Sequence, residues 1–217
     1  NIDTEKEKPE TAKLPDPDPE DEDHDKHEKD EEHHDSVEII DALGQNLSFD
    51  ATPERIATLS PTATEILYSA GGTSVLRDRA SNFPEEARSL PDVGSSYDPS
   101  IETLLAARPD LVIIEALTQA RFASILGQAG LKVMAVKVES VEDVKSNILN
   151  VGKVTGNEDI AAQKVSEIEK RLSAVGDSDG RSVLMLISDQ DRNLYAARPE
   201  SYTGLIASTL GMTNKAE

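Results

Sequence analysis

The chain has 217 residues, 42 of them acidic and 22 basic, for a formal charge of −20. That balance argues against recognition of nucleic acid or anionic lipid through a basic surface, and the lack of cysteine excludes disulfides and thiolate metal sites. No apolar run reaches the roughly 18 residues a membrane span needs, and no signal peptide is visible, so the chain reads either as cytosolic or as a mature or trimmed product.

The charge is unevenly placed. Residues 1–35 hold sixteen of the 42 acidic residues, five of the 22 basic ones and all four histidines. Proline alternates with acid over Leu14-Pro15-Asp16-Pro17-Asp18-Pro19-Glu20, and Asp21 to Asp35 contains no apolar residue to bury. Such a segment does not offset its ordering entropy and reads as a disordered tether. His24, His27, His33 and His34 lie among carboxylates, a donor set suited to zinc, nickel or cobalt. Two readings stand for them: a metal-scavenging tether or a plain acidic spacer.

From Val37 the pattern becomes that of a folded domain. Val37-Glu38-Ile39-Ile40 and Leu47-Ser48-Phe49 suggest a hairpin closed around Gly44-Gln45-Asn46. Arg55-Ile56-Ala57-Thr58-Leu59 reads as a buried strand ending at Ser60-Pro61. Thr62 then reads as an N-cap, with Glu65 as its capping-box partner, and a helix runs to about Ala70 before Gly71-Gly72. Ile101, Leu104 and Leu105 share a helical face, and Arg108-Pro109-Asp110 ends that helix. Leu111-Val112-Ile113-Ile114 is apolar on both faces, as a covered parallel strand should be. A helix from Phe122 to Ala129 and a strand over Lys132–Val136 follow. Strand and helix alternating in this way imply βαβ units around a mostly parallel sheet.

Residues 141–175 read as helical, with a break between Gly152 and Asn157. Ser182-Val183-Leu184-Met185-Leu186-Ile187 opens a second sheet, followed by Asn193–Ala197 and a short helix from about Tyr202 to Leu210. The expected fold is therefore α/β: two α/β lobes joined by a long backbone helix, the second lobe incomplete as written. Its divisions are a tether at 1–35, a first lobe at 36–140, a helical connector at 141–176 and the start of a second lobe at 177–217.

These segments resemble a family of extracytoplasmic substrate-binding proteins of ABC importers, those built on one backbone helix and serving vitamin B12, haem and ferric siderophores. The resemblance is carried by Arg55 to Leu67, with its Ser60-Pro61 turn; by Asn82-Phe83-Pro84; by Leu90-Pro91-Asp92-Val93-Gly94; by Ile101 to Ile113; and by Gly130-Leu131-Lys132-Val133. Ser201-Tyr202 through Asn214 is similar to a helix of the second lobe. Within the family the vitamin B12 binders are most similar. Where they have aromatic cleft walls, this chain has Ala80 and Ser96, with Tyr97 and Phe83 nearby.

The resemblance implies a non-enzymatic binder with no intrinsic cofactor, taking a metal chelate between its lobes and passing it to an ABC permease with its ATPase. It implies an extracytoplasmic location, with membrane association only through an anchor upstream of Asn1. The implied ligand-facing residues are Ser60, Pro61, Thr62, Asn82, Phe83, Ser95, Ser96, Tyr97 and Glu115, with Ser188 and Arg198 in the second lobe. The plain alternatives are that Ser60 and Thr62 are helix caps, Tyr97 and Phe83 core residues, and Arg198 a surface cation. The helix start after Ser60 is expected to offer free N–H groups to a carboxylate or phosphate. Glu102 matches a position that docks on the permease, or is an ordinary exposed glutamate. No G-x-S-x-G, P-loop or dinucleotide fingerprint is present, and residues 36–217 lack histidine, the commonest general base. The alternative function is a receptor for a free divalent metal ion or an oxyanion, using the acidic histidine-containing tether.

Overall fold

The computed structural model describes residues 36–175, 180–189 and 191–216, and these pack as one compact unit. The four histidines of the candidate metal tether lie outside the described residues. β1 (Val37–Ile40) and β2 (Asn46–Phe49) form the expected antiparallel hairpin. Asp41 anchors it: Oδ1 accepts from the Leu43 and Gln45 amides, each at 2.9 Å, and Oδ2 from Ala135 N–H at 3.0 Å.

A four-stranded parallel sheet follows, built from β3 (Ile56–Thr58), β4 (Ser74–Leu76), β7 (Leu111–Glu115) and β8 (Val133–Val136) in the order β4-β3-β7-β8. Its strands are apolar on both sides because both faces are covered. Ile56, Leu111, Ile113, Met134 and Val136 pack on one side with α1 (Pro61–Ser69), α4 (Val141–Val154) and Ala161 of α5 (Glu158–Ser173). Ala57, Val112, Ile114, Val133 and Ala135 pack on the other with α2 (Ile101–Ala107) and α3 (Ala116–Gln128). Between β4 and α2 the chain makes a tight turn through β5 (Gly94–Ser95) and β6 (Asp98–Pro99).

Several boundaries differ from the sequence expectation for clear physical reasons. The cap of α1 is Ser60, whose Oγ accepts from Ala63 N–H at 3.1 Å; Thr62 is already inside the helix. Pro61 decides this, since a residue without N–H and with fixed φ suits the first helical position. α3 starts six residues before the predicted Phe122 because Glu115 caps it with its own carboxylate. α4 continues through Gly152 to Val154, and the chain breaks only afterwards.

After α5 come β9 (Ser182–Val183), β10 (Leu186–Ser188), β11 (Leu194–Ala196), α6 (Tyr202–Thr209) and β12 (Thr213–Asn214). The single strand predicted over Ser182–Ile187 is divided in two. β9 pairs in parallel with β12, whereas β10 forms a hairpin with β11. The fold is thus α/β, with the four-stranded sheet and the later pairs β9-β12 and β10-β11 separated in the chain by the helices α4 and α5.

Candidate functional site

The strands β3 and β7 both end on the same rim of the four-stranded sheet, and a cleft of about 550 Å³ opens there. In open α/β sheets this rim is where ligands bind. Ser60, Pro61 and Thr62 form the wall after β3, and Glu115, Leu117 and Thr118 the wall after β7. The turn between β5 and β6 contributes Ser96 and Tyr97. Ile66, Val138, Val144, Ile148 and Ile168 supply an apolar surface from α1, the β8–α4 link, α4 and α5, while Tyr202 enters from α6.

Of the residues singled out from sequence, Ser60, Pro61, Thr62, Ser96, Tyr97 and Glu115 come together in this cleft. Asn82, Phe83, Ser95, Ser188 and Arg198 are not among its lining residues. Asn82 and Phe83 are exposed, and Ser95 Oγ is used within its own turn, accepting from Tyr97 N–H at 3.2 Å. Ser188 Oγ donates to the Asp189 carbonyl, and Arg198 pairs with Glu200 at 3.5 Å. Glu102 is exposed in the first turn of α2, away from the cleft lining.

The donors expected after Ser60 are largely committed. Ser60 holds Ala63 N–H, and Pro61 has none to give. At the start of α3 the Glu115 carboxylate accepts from the Leu117 and Thr118 amides, each at 2.9 Å, and from Thr118 Oγ1 at 2.8 Å. A buried carboxylate on a helix N-terminus offsets the positive end of the dipole. The expectation of free helix N–H groups after Ser60 is thereby narrowed to the Thr62 amide.

Sequence reasoning missed Glu65, Ser69 and Ile66, although the helical spacing of α1 places them on one face with Pro61 and Thr62. Glu65 is the titratable group this face adds. Partial desolvation lifts its carboxyl above the ordinary glutamate range. Also missed was Gln119, fully buried, whose Nε2 donates to the Leu59 and Ser96 carbonyls, each at 2.7 Å, while its Oε1 accepts from Glu115 N–H at 2.9 Å. A second polar lock sits behind Ser96. Asp78, fully buried, accepts from Ser96 Oγ at 2.7 Å, Ala80 N–H at 2.8 Å and the Ser81 hydroxyl. The turns of the cleft are therefore held by buried side chains rather than left to adapt. Tyr97 and Tyr202, by contrast, are 67% and 64% exposed and free to meet a ligand.

No group of three or more His, Asp or Glu among the described residues is placed to hold a bare metal ion. Residues 56–217 match the family described as periplasmic binding protein. The chain belongs to that family. It is 25% identical over 193 residues to an uncharacterized ABC transporter substrate-binding lipoprotein, YvrC, of Bacillus subtilis, covering 83% of this chain and 61% of that protein. It is 29% identical over 134 residues to the vitamin B12-binding protein of Vibrio vulnificus, covering 60% of this chain and 49% of that one. The chain thus spans about half to three-fifths of the length of these curated relatives. Among solved structures, the siderophore-binding protein BauB superposes with a TM-score of 0.72 at 21% identity, covering 82% of this chain and 67% of that one. The vitamin B12-binding protein BtuF of Vibrio cholerae does so with a TM-score of 0.66 at 23% identity, covering 75% and 66%. These structures share the fold, in which two lobes are joined by a backbone helix.

Proposed function

We propose that the protein is the extracytoplasmic substrate-binding protein of an ABC importer, and that its cleft takes a metal-containing chelate of the cobalamin, haem or ferric-siderophore class. The observation that carries this reading is the cleft itself. It opens on the carboxyl-end rim of a parallel sheet, its volume lies in the range of small-molecule sites, and its mainly apolar wall carries Tyr97 and Tyr202 at the mouth. Aromatic rings that are exposed yet positioned supply large contact area at low ordering cost. Relatives named for vitamin B12, cobalamin and siderophore binding support the ligand class. The relative named as a lipoprotein supports anchorage at a membrane surface.

In this reading Glu102 lies on a rim helix where a charge steers docking on the permease. The protein needs no catalytic group, because capture alone performs its task. A free divalent ion as ligand is disfavoured by the donor set of the cleft, which among the described residues offers two carboxylates and no imidazole, fewer than a metal site needs. The test is thermal unfolding of the protein with cyanocobalamin, haemin, ferric hydroxamate and catecholate chelates, and zinc and nickel salts. A ligand at about a hundred times its Kd stabilises by about 2.7 kcal/mol, a clear rise in Tm. Stabilisation by one chelate and not by the bare metals is the expected result. Stabilisation by metal salts alone would overturn it.

A further inference from the structure

We infer that the cleft is a charge filter: it accepts neutral or cationic chelates and rejects anionic ones of the same shape. This deepens the reading of the cleft as a chelate site and rests on it.

Among the described residues two carboxylates, Glu65 and Glu115, line the cleft, and none of the lining residues is lysine, arginine or histidine. Glu115 is only 9% exposed, and every hydrogen bond it accepts comes from a neutral amide or hydroxyl. Its charge is therefore delocalised into the start of α3 but not cancelled by a counter-ion. An anion entering the cleft finds that helix terminus already occupied by a carboxylate. At α1 the equivalent position is closed by Ser60 and Pro61, as described above. The end of α3 is thus occupied from within the chain, and at α1 Ser60 holds the Ala63 amide while Pro61 has none to offer.

The two nearby lysines are engaged elsewhere. Lys145, next to the lining residue Val144, is bound to Glu142 at 2.7 Å and Glu169 at 2.9 Å. Lys137, beside Val138, pairs with Glu139. Arg121 is held by neutral partners, donating to the Tyr97 carbonyl and lying 4.7 Å from the Phe122 ring centroid, and it is not among the residues that line the cleft. The two lining carboxylates, with no lining cation against them, bias the cleft toward negative potential, and low-dielectric apolar walls leave such a field less screened than open solvent would.

The experiment varies charge on a constant core. Ferrioxamine B carries a free ammonium and is cationic; its N-acetyl derivative is neutral and its N-succinyl derivative anionic. Cyanocobalamin and its monocarboxylic acid derivative make a neutral and anionic corrinoid pair. Affinities are measured by calorimetry at low salt. Within whichever core binds, the anionic member is expected to bind at least tenfold more weakly, about 1.4 kcal/mol, with the gap narrowing at high salt. Glu65→Gln is expected to shrink the gap between the anionic and neutral members about threefold. Anionic chelates binding as tightly as neutral ones, or a gap untouched by both Glu65→Gln and salt, would overturn the filter and leave the chelate site standing. Binding of no member of either core would remove the chelate site, and the filter with it.

Discussion

Gln119 Nε2 donates to the carbonyl of Leu59 at 2.7 Å, across sixty positions of sequence. The same amide nitrogen reaches the Ser96 carbonyl, and its oxygen takes the Glu115 amide. One buried side chain therefore ties together the ends of β3 and β7 and the Ser96 turn, the three segments that make the polar wall of the cleft. A buried amide with all these partners is costly to lose, since each group left behind carries its own desolvation penalty.

Replacing it with an apolar residue of similar size isolates that effect. Gln119→Leu is expected to destabilise the protein by about 2–4 kcal/mol, read as a lower denaturation midpoint at unchanged m-value. Ligand affinity should fall as well, because the Ser60 and Ser96 turns lose their common anchor. A Gln119→Leu variant as stable as the parent would show that these bonds exchange freely with water.

Tyr97 and Tyr202 give the opposite pattern. Both are mostly exposed, so truncation leaves no cavity in the core. Tyr97→Ala and Tyr202→Ala are each expected to weaken chelate binding about tenfold, in line with the loss of an aromatic contact, while Tm of the free protein moves little. Titration of each variant alongside thermal unfolding separates the two quantities. A large drop in Tm with unchanged affinity would assign the rings to structure.

What could be read from sequence divides along the same line. The strands β3, β7 and β8 are continuous apolar runs, and the Ser60-Pro61 turn carries its own chemistry, so the sheet and one wall of the cleft were legible. β4 was not: three residues, one of them Ser74, are too short and too polar to register as a strand. The start of α3 was hidden because its cap is glutamate and its first two turns, through Thr118, Gln119 and Arg121, lack apolar periodicity. Tyr202 as a cleft residue and Gln119 as the buried tie behind the cleft were invisible for a different reason. Their roles come from segments far apart in sequence that meet only in the fold. Gln119 spaced four residues from Glu115 looks like any surface glutamine until Leu59 and Ser96 are placed beside it.

The pH response of α5 follows from Glu167. Lys164 donates to it at 2.9 Å and Arg171 also contacts it, and these partners hold its carboxyl below the ordinary glutamate range. A carboxyl with a lowered folded-state pKa adds stability that is complete above its unfolded pKa and vanishes as pH falls through the folded value. Glu167→Gln should therefore lower Tm at neutral pH and match the parent in acid. The effect is small, since solvent screens both cations, and added salt should reduce it further. A Tm difference that persists at low pH would attribute it to packing instead.

Two glycines should respond to the same substitution with opposite sign. Gly152 lies in α4 where α5 crosses closest: a β-carbon there would sit 2.4 Å from Ala161 Cβ and 3.3 Å from the Asn157 carbonyl oxygen. Ala161 is fully buried, so neither helix yields without moving its backbone away from the core shared with α1 and β1. Gly127, in the last turn of α3, is exposed and would place its β-carbon in open space. Alanine at an unobstructed helical position lowers the entropy of the unfolded chain, so Gly127→Ala should stabilise by about 0.5–1 kcal/mol. Gly152→Ala enjoys the same gain but must separate two packed helices, and overpacking of this kind costs about 1–3 kcal/mol. The expected net is a loss of stability, and Ile148 and Ile168, which α4 and α5 present to the cleft, should shift with it. Chelate affinity should therefore fall in Gly152→Ala and stay at the parent value in Gly127→Ala. Equal, stabilising effects at both positions would mean that the α4–α5 contact is looser than its geometry.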